Sequence, residues 1–270
     1  MATELYVGGW DNPSQQAVFG KIDSETGAYT QISSGLGLDQ DRFTGLAWDP
    51  GISAFHTLSN RGWLSTITKT GTTSSPTGLG PTRANVRLAY NANTGKLHRL
   101  ATKDPNLKND GDVNLSITIN GAEVSKNSHT EALERLAAEY QALARKTVGL
   151  VDYSFYGTAF VKGKLCCTVS KMFDARKYDP RSGFQNSGKN NDFYGLFDLE
   201  TARFQEIFSD RAFHAMQLAY DGSTLFGLND YRLYTLNPEK GDFNLLAKVT
   251  GISEGNTIFQ CMSAIPVIAS

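Results

Sequence analysis

The chain of 270 residues carries 26 basic and 27 acidic residues, a net charge of -1, with 40% hydrophobic and 20% charged residues. Charge of both signs in near balance excludes a broad electrostatic case for nucleic acid or an anionic membrane surface, and the hydrophobic content suits a soluble, well-packed globule. No run approaches about 18 uninterrupted apolar residues, and the start MATELYVGGW lacks a basic segment followed by an apolar one, so neither a membrane span nor a signal peptide is expected and the compartment expected is the cytoplasm.

In chain order, ELYVGG from Glu4 predicts a first strand, and VFGKIDSETGAY (18–29) predicts a strand, a turn and a second strand. LAWDPGISAFHTLS from Leu46 has a different rhythm: a strand of small and aromatic residues, a turn, then a more apolar strand. WLSTITKTGT (63–72) returns to the first pattern, LAYNANTGKLHRLA from Leu88 to the second, and LSITINGAEV (115–124) to the first. The alternation continues with TAFVKGKLCCTVS from Thr158, FYGLFDLETARF (193–204), LAYDGSTLFGLN from Leu218 and RLYTLNPEKGDF (232–243). The chain ends in a partial copy of the second pattern, SAIPVIAS from Ser263, whose partner strand is ELYVGG.

Columns of the first pattern hold Phe19, Tyr194 and Leu233, then Ile22, Phe197 and Leu236, then Asp23, Asp198 and Asn237. An Asx residue followed by Gly is what a tight turn requires, because the side chain holds its own backbone and Gly accepts a positive φ. Alanines in the second pattern, Ala47, Ala89, Ala159, Ala219 and Ala264, mark five units of two hairpins each. Four strands per period of roughly 40–50 residues is the signature of a propeller blade, and sharing one blade between the termini closes the ring and removes two sheet edges.

The fold expected is therefore all-β: residues 1–270 as a single five-bladed β-propeller of four-stranded antiparallel blades. The chain resembles five-bladed propellers in general, an architecture shared by tachylectin-type lectins and several sugar-hydrolase families. No catalytic motif of those families is present, so the resemblance implies architecture and leaves activity open.

Intervals between the alanines are 42, 70, 60 and 45 residues, so the units of Ala89 and Ala159 carry extra chain. Segments 102–113 and 172–192 fall between the second and third strands of their units, and 125–149 joins one unit to the next. In a meander all three lie on one face of the disc. Ser128 with Glu131 makes a capping box, and an apolar stripe from Leu133 to Ala144 predicts a helix over about 129–146 that docks on the blade tops as a wall or lid.

The innermost strands begin at the channel mouth on that decorated face. Their first residues supply Asp41, Arg42, Asn85 and Arg87, then Asp152, Tyr153 and Tyr156, then His214, Gln217 and Gln260. His214 with Asp41 or Asp152 is the expected acid–base pair and Tyr153 or Tyr156 a proton donor. Arg42, Arg87, Asn85, Tyr153, Gln217, Gln260 and Trp10 are the expected ligand-binding groups for a small polar or anionic molecule. A guanidinium near a narrow axis requires an acidic partner or a ligand.

Four histidines without repeated spacing and no HExxH give no metal site, and no cofactor motif occurs. Cys166, Cys167 and Cys261 are expected as small buried hydrophobes. These features favour an enzyme, a hydrolase or lyase, on a polar or anionic metabolite. A carbohydrate-binding lectin using Trp10, Trp48 and Trp63 as platforms, and a protein-interaction scaffold, are the alternatives. Nothing in the sequence fixes oligomeric state.

Overall fold

The computed structural model describes residues 3–35, 42–59, 63–74, 77–78, 86–101, 114–118, 124–125, 151–173, 192–198 and 203–265. Among these, twenty strands form five four-stranded antiparallel sheets in a β-propeller arrangement. Sheet I joins β1 (Glu4–Asp11), β2 (Gln16–Asp23) and β3 (Tyr29–Ser34) to β20 (Thr257–Ala264), which lies next to β1. Sheet II runs β4 (Phe43–Asp49), β5 (Ala54–Ser59), β6 (Trp63–Ile67) and β7 (Thr77–Gly78). Sheet III runs β8 (Val86–Asn91), β9 (Lys96–Ala101), β10 (Asn114–Thr118) and β11 (Val124–Ser125). Sheet IV has β12 (Val151–Val161), β13 (Lys164–Phe173), β14 (Asp192–Asp198) and β15 (Arg203–Ser209). Sheet V has β16 (Gln217–Tyr220), β17 (Leu225–Asn229), β18 (Arg232–Leu236) and β19 (Phe243–Lys248).

The first strands of the sheets touch in sequence: β20 meets β4, β4 meets β8, β8 meets β12, β12 meets β16, and β16 meets β20. Among the described residues the only helical element noted is a short 3-10 turn, Arg211–Phe213, and no helix is long and apolar enough to cross a membrane. The helix expected over about 129–146 lies outside the described residues, as do most of the three insertions. Their flanking strands place 102–113 between β9 and β10, 172–192 across the β13–β14 connection, and 125–149 between β11 and β12.

Strand alternation explains the packing. Along β1, Leu5 and Val7 turn to sheet V and join Leu228 and Leu233, while Tyr6 turns to sheet II and meets Phe55. Each such fully buried apolar side chain contributes roughly 1.5–3 kcal/mol, so the cohesion of the ring lies between sheets. The repeated alanines serve this contact. Ala47 packs with Leu88 and Tyr90 of the next sheet, and Ala159 packs with Leu218 and Tyr220 of the next. A small side chain admits the aromatic that follows the alanine in the adjoining unit.

The last of these alanines does not occupy that column. Ala264 pairs with Leu5 and faces sheet V beside Ala219, whereas Ser263 pairs with Tyr6 and its Oγ accepts a hydrogen bond of 3.0 Å from the Trp48 N–H of sheet II. A displacement of one residue along a strand reverses the face. The anchor of the shared unit is therefore Ser263.

The tight turns follow the Asx rule. Asp23 Oδ1 accepts from the backbone N–H groups of Glu25 and Thr26 at 3.0 and 2.8 Å, and Asn237 Oδ1 accepts from those of Glu239 and Lys240 at 3.0 and 3.2 Å. Gly27 closes the first of these at φ +72°, where a Cβ would stand 2.2 Å from the Lys248 carbonyl oxygen.

Candidate functional site

Three inner strands carry a β-bulge: the register skips Thr44 in β4, Tyr156 in β12 and Gln260 in β20. Each precedes its anchor, Ala47, Ala159 or Ser263, by the same interval, and each bulge frees backbone groups from the ladder. Arg87 of sheet III sits between two of them. Its Nη1 donates to the Thr44 carbonyl at 3.0 Å and its Nε donates to the Tyr156 carbonyl. Close approach of the strands here is why Gly157 has no side chain, since a Cβ would stand 2.5 Å from the Met216 carbonyl oxygen. Burial pulls the guanidinium down to about 10, still protonated at neutral pH. Arg87 is thus tied to the neighbouring sheets by carbonyls that bulges turn toward it.

On the decorated side, His214 follows the 3-10 turn and precedes β16. Its Nδ1 lies 3.1 Å from Asp192 Oδ1, and that carboxylate also accepts a hydrogen bond from Ser170 Oγ. Asp192 is buried while the imidazole is largely exposed, with 62% of the side chain accessible. The Tyr156 ring stands edge-on to His214 at 5.3 Å between centroids. Arg87, Tyr156 and His214 are therefore brought together through backbone and ring contacts. The carboxylate that orients His214 is Asp192, a residue absent from the expected pair. It is the last residue of an insertion, and its position at the start of β14, next to the end of β13, was the signal that could have found it.

The other expected residues are placed as follows. Gln217 is buried, and its Nε2 donates to the Ala215 carbonyl at 2.9 Å. Gln260 is the bulge residue of β20, and its Oε1 is buried without a hydrogen-bond partner among the described residues. Trp10 is buried, with Nε1 likewise unpartnered and the Arg42 guanidinium 5.2 Å from the ring centroid. Asp152 and Tyr153 pair by backbone with Met172 and Lys171, and their side chains lie outside the described residues. Asp41 and Asn85 lie outside them altogether. Of the tryptophans considered as sugar platforms, Trp48 is buried and Trp63 is 43% exposed.

At the opposite end, on the face of the short turns, a cavity of about 320 Å³ occupies the axis. It begins at Leu46, Leu88 and Leu218, next to the level of Arg87, and is walled by the residue that follows each anchor: Trp48, Tyr90, Phe160, Tyr220 and Ala264. Sequence reading missed it because the alanine–aromatic pairs look like packing alone. Asp49 at its edge is committed elsewhere: Oδ2 lies 2.9 Å from His56 Nε2 and Oδ1 accepts from the Gly51 N–H at 2.8 Å. The Tyr90 phenol is raised first by burial and then by Asp49, to which it hydrogen-bonds. Asp221 accepts from Thr3 Oγ1 at 2.7 Å and from the backbone of Ser223 and Thr224. These carboxylates close turns and tie one sheet to the next.

Among the described residues no group of His, Cys, Asp and Glu is disposed to hold a metal ion. The three cysteines are free and buried, and burial raises Cys166 to about 11 and Cys261 to about 12.

Fold and site define a β-propeller whose axis carries a buried arginine between a histidine-bearing mouth and an aromatic-walled well. No family model matches the chain, and no curated protein matches it. Among solved structures it is similar to one described as a nidogen/laminin complex, at 10% identity, TM-score 0.48 and coverage of 98% of each chain. It is also similar to a structural-genomics protein of unknown function from Bacteroides thetaiotaomicron, at 12% identity and TM-score 0.42, covering 89% of this chain and 55% of that one. Likenesses this weak have no bearing on function.

Proposed function

We propose that the five sheets are the blades of one closed ring and that the protein is an enzyme, a hydrolase or lyase, acting on a small polar or anionic metabolite at the decorated mouth. The observation that carries this is the chain Ser170–Asp192–His214. A buried carboxylate held by a hydroxyl orients an exposed imidazole, the arrangement that makes histidine an effective general base or acid. Asp192 fixes the ring through Nδ1, leaving Nε2 for a proton at the mouth, and Tyr156 holds the imidazole from one side. The unpartnered buried atoms Gln260 Oε1 and Trp10 Nε1 supply further polar capacity on the same face.

The test is a thermal-shift screen of carboxylates, sugar phosphates and neutral sugars against wild type, His214→Ala and Asp192→Asn, followed by NMR of each hit for turnover. A compound that raises Tm in wild type, is consumed, and is left unconsumed by both variants is the expected outcome. A full screen without hits, or turnover unchanged in both variants, refutes the assignment.

A further inference from the structure

The well on the face opposite His214 has four aromatic walls and one missing. Trp48, Tyr90, Phe160 and Tyr220 each follow the anchor of their sheet, and all line the cavity; the equivalent position of sheet I is Ala264. Ala264 faces Ala219, so two methyl groups meet where every other seam described has an aromatic ring against a small residue. The cavity of about 320 Å³ is large enough for one single-ring ligand with substituents, at the lower end of the range for small-molecule sites.

The charge within its lining has one sign, with the Asp49 and Asp221 carboxylates next to lining residues but outside the lining itself. No Asp or Glu lines it, and its single charged lining residue is Lys162. Lys162 stands at φ +50° beside Gly163 at φ +82°, in the two-residue turn between β12 and β13, so the backbone direction of its side chain is fixed. A Cβ on Gly163 would stand 3.0 Å from Asn93 Nδ2, which places an amide donor of sheet III beside that turn. Among the described residues Lys162 forms no ion pair with a carboxylate; Asp49 is held by Gly51, His56 and Tyr90, and Asp221 by Thr3, Ser223 and Thr224.

We infer that this well is a second binding site, separate from the mouth, for a small aromatic carboxylate. The ligand ring takes the place of the absent fifth aromatic beside Ala264 and Ala219, and its carboxylate lies toward Lys162 and the Asn93 amide. Ring faces and edges of the surrounding aromatics give such a ligand offset or edge-on contacts, and a charge-assisted hydrogen bond to the ammonium selects the anion over its neutral counterpart.

The probe is 4-fluorobenzoate, followed by fluorine NMR on the full chain, with 4-fluorobenzyl alcohol as the uncharged control. Saturable binding of the acid is expected, weakened roughly three- to tenfold in Lys162→Ala and to a similar degree in the alcohol. Ala264→Phe supplies the missing ring from the protein and is expected to abolish binding while raising Tm. Ala219→Leu, a smaller filling of the same seam, serves if Ala264→Phe does not fold. No saturable binding up to about 10 mM, or binding that survives both filling variants, overturns the inference. A rise in Tm with Ala264→Phe when wild type binds no probe would mark the gap as a packing defect only, and also overturns it. None of these outcomes depends on His214.

Discussion

Tyr29→Phe should stabilise the protein, and increasingly so as pH rises. Tyr29 opens β3, is 9% exposed, and packs edge-on against Phe259 at 5.3 Å between centroids, yet its hydroxyl is buried with no hydrogen-bond partner among the described residues. Removing that oxygen keeps the ring and its contacts, and relieves a desolvation cost of about 1–3 kcal/mol, so a gain of about 1 kcal/mol at neutral pH is expected after partial relaxation. In a domain of this size that corresponds to a Tm increase of roughly 2–4 °C. Burial, and then Asp11, push the Tyr29 phenol up to about 12 from the ordinary value near 10. A phenol with a raised folded-state pKa contributes stability that is complete below about 10 and lost as pH climbs through about 12, because only the unfolded chain ionises readily in that window. The two-unit interval amounts to about 2 kcal/mol once screening is allowed for. The phenylalanine variant has no such loss, so its advantage over wild type should grow from about 1 kcal/mol at pH 7 to about 3 kcal/mol near pH 12. Urea unfolding followed by circular dichroism at pH 7, 9, 10.5 and 11.5 measures both quantities. A destabilised variant, or an advantage that does not change with pH, would refute the reasoning.

Two other outcomes follow from buried groups. Thr168 is fully buried, and its Oγ1 accepts from the Gly157 N–H at 2.9 Å and donates to the Met216 carbonyl at 2.6 Å, joining the bulge of β12 to the strand entry of sheet V. Thr168→Val keeps the shape and orphans both backbone groups, so unfolding free energy should fall by about 2–4 kcal/mol in the same urea assay, whereas Thr168→Ser should recover most of it. The three thiols, held up by burial, should be inert to Ellman's reagent at pH 8 in the native protein and react together in urea; fast reaction of any one in the native state would contradict their placement.

The strands, the turn positions and the sharing of one sheet between the two ends were legible because each rests on a period-two pattern or on Asx–Gly chemistry repeated several times. Asp23 and Asn237 act on their own turns, and local rules find them. The one-residue error at the last anchor has the same origin: Ser263 and Ala264 are both small, and only pairing with Tyr6 or Leu5 decides which of them faces sheet II. Arg87 was expected to need an acidic partner or ligand, and among its partners the structure shows the carbonyls of Thr44 and Tyr156. Those acceptors exist because of bulges, and a bulge leaves little sign in sequence beyond the glycine that follows, Gly45 or Gly157. Asp192 was missed because its partner His214 is 22 residues away, in the next unit. Such a juxtaposition belongs to the ring and is not a local property of either segment.

The two ends of the axis depart from the repeat for different reasons, and this bears on how they can act. At the mouth the departure is added chain: the β13–β14 insertion ends in Asp192, the residue that meets His214 and the first of β14. At the well the departure is a deletion of volume, one alanine where four other units carry a ring, at the seam where the shared sheet meets sheet V. Arg87 is anchored between these levels by backbone carbonyls of two neighbouring sheets, which are rigid acceptors. Occupancy at one end is therefore expected to leave affinity at the other unchanged. Coupling would require the inner strands themselves to shift, and each of those touches the inner strands of both neighbouring sheets.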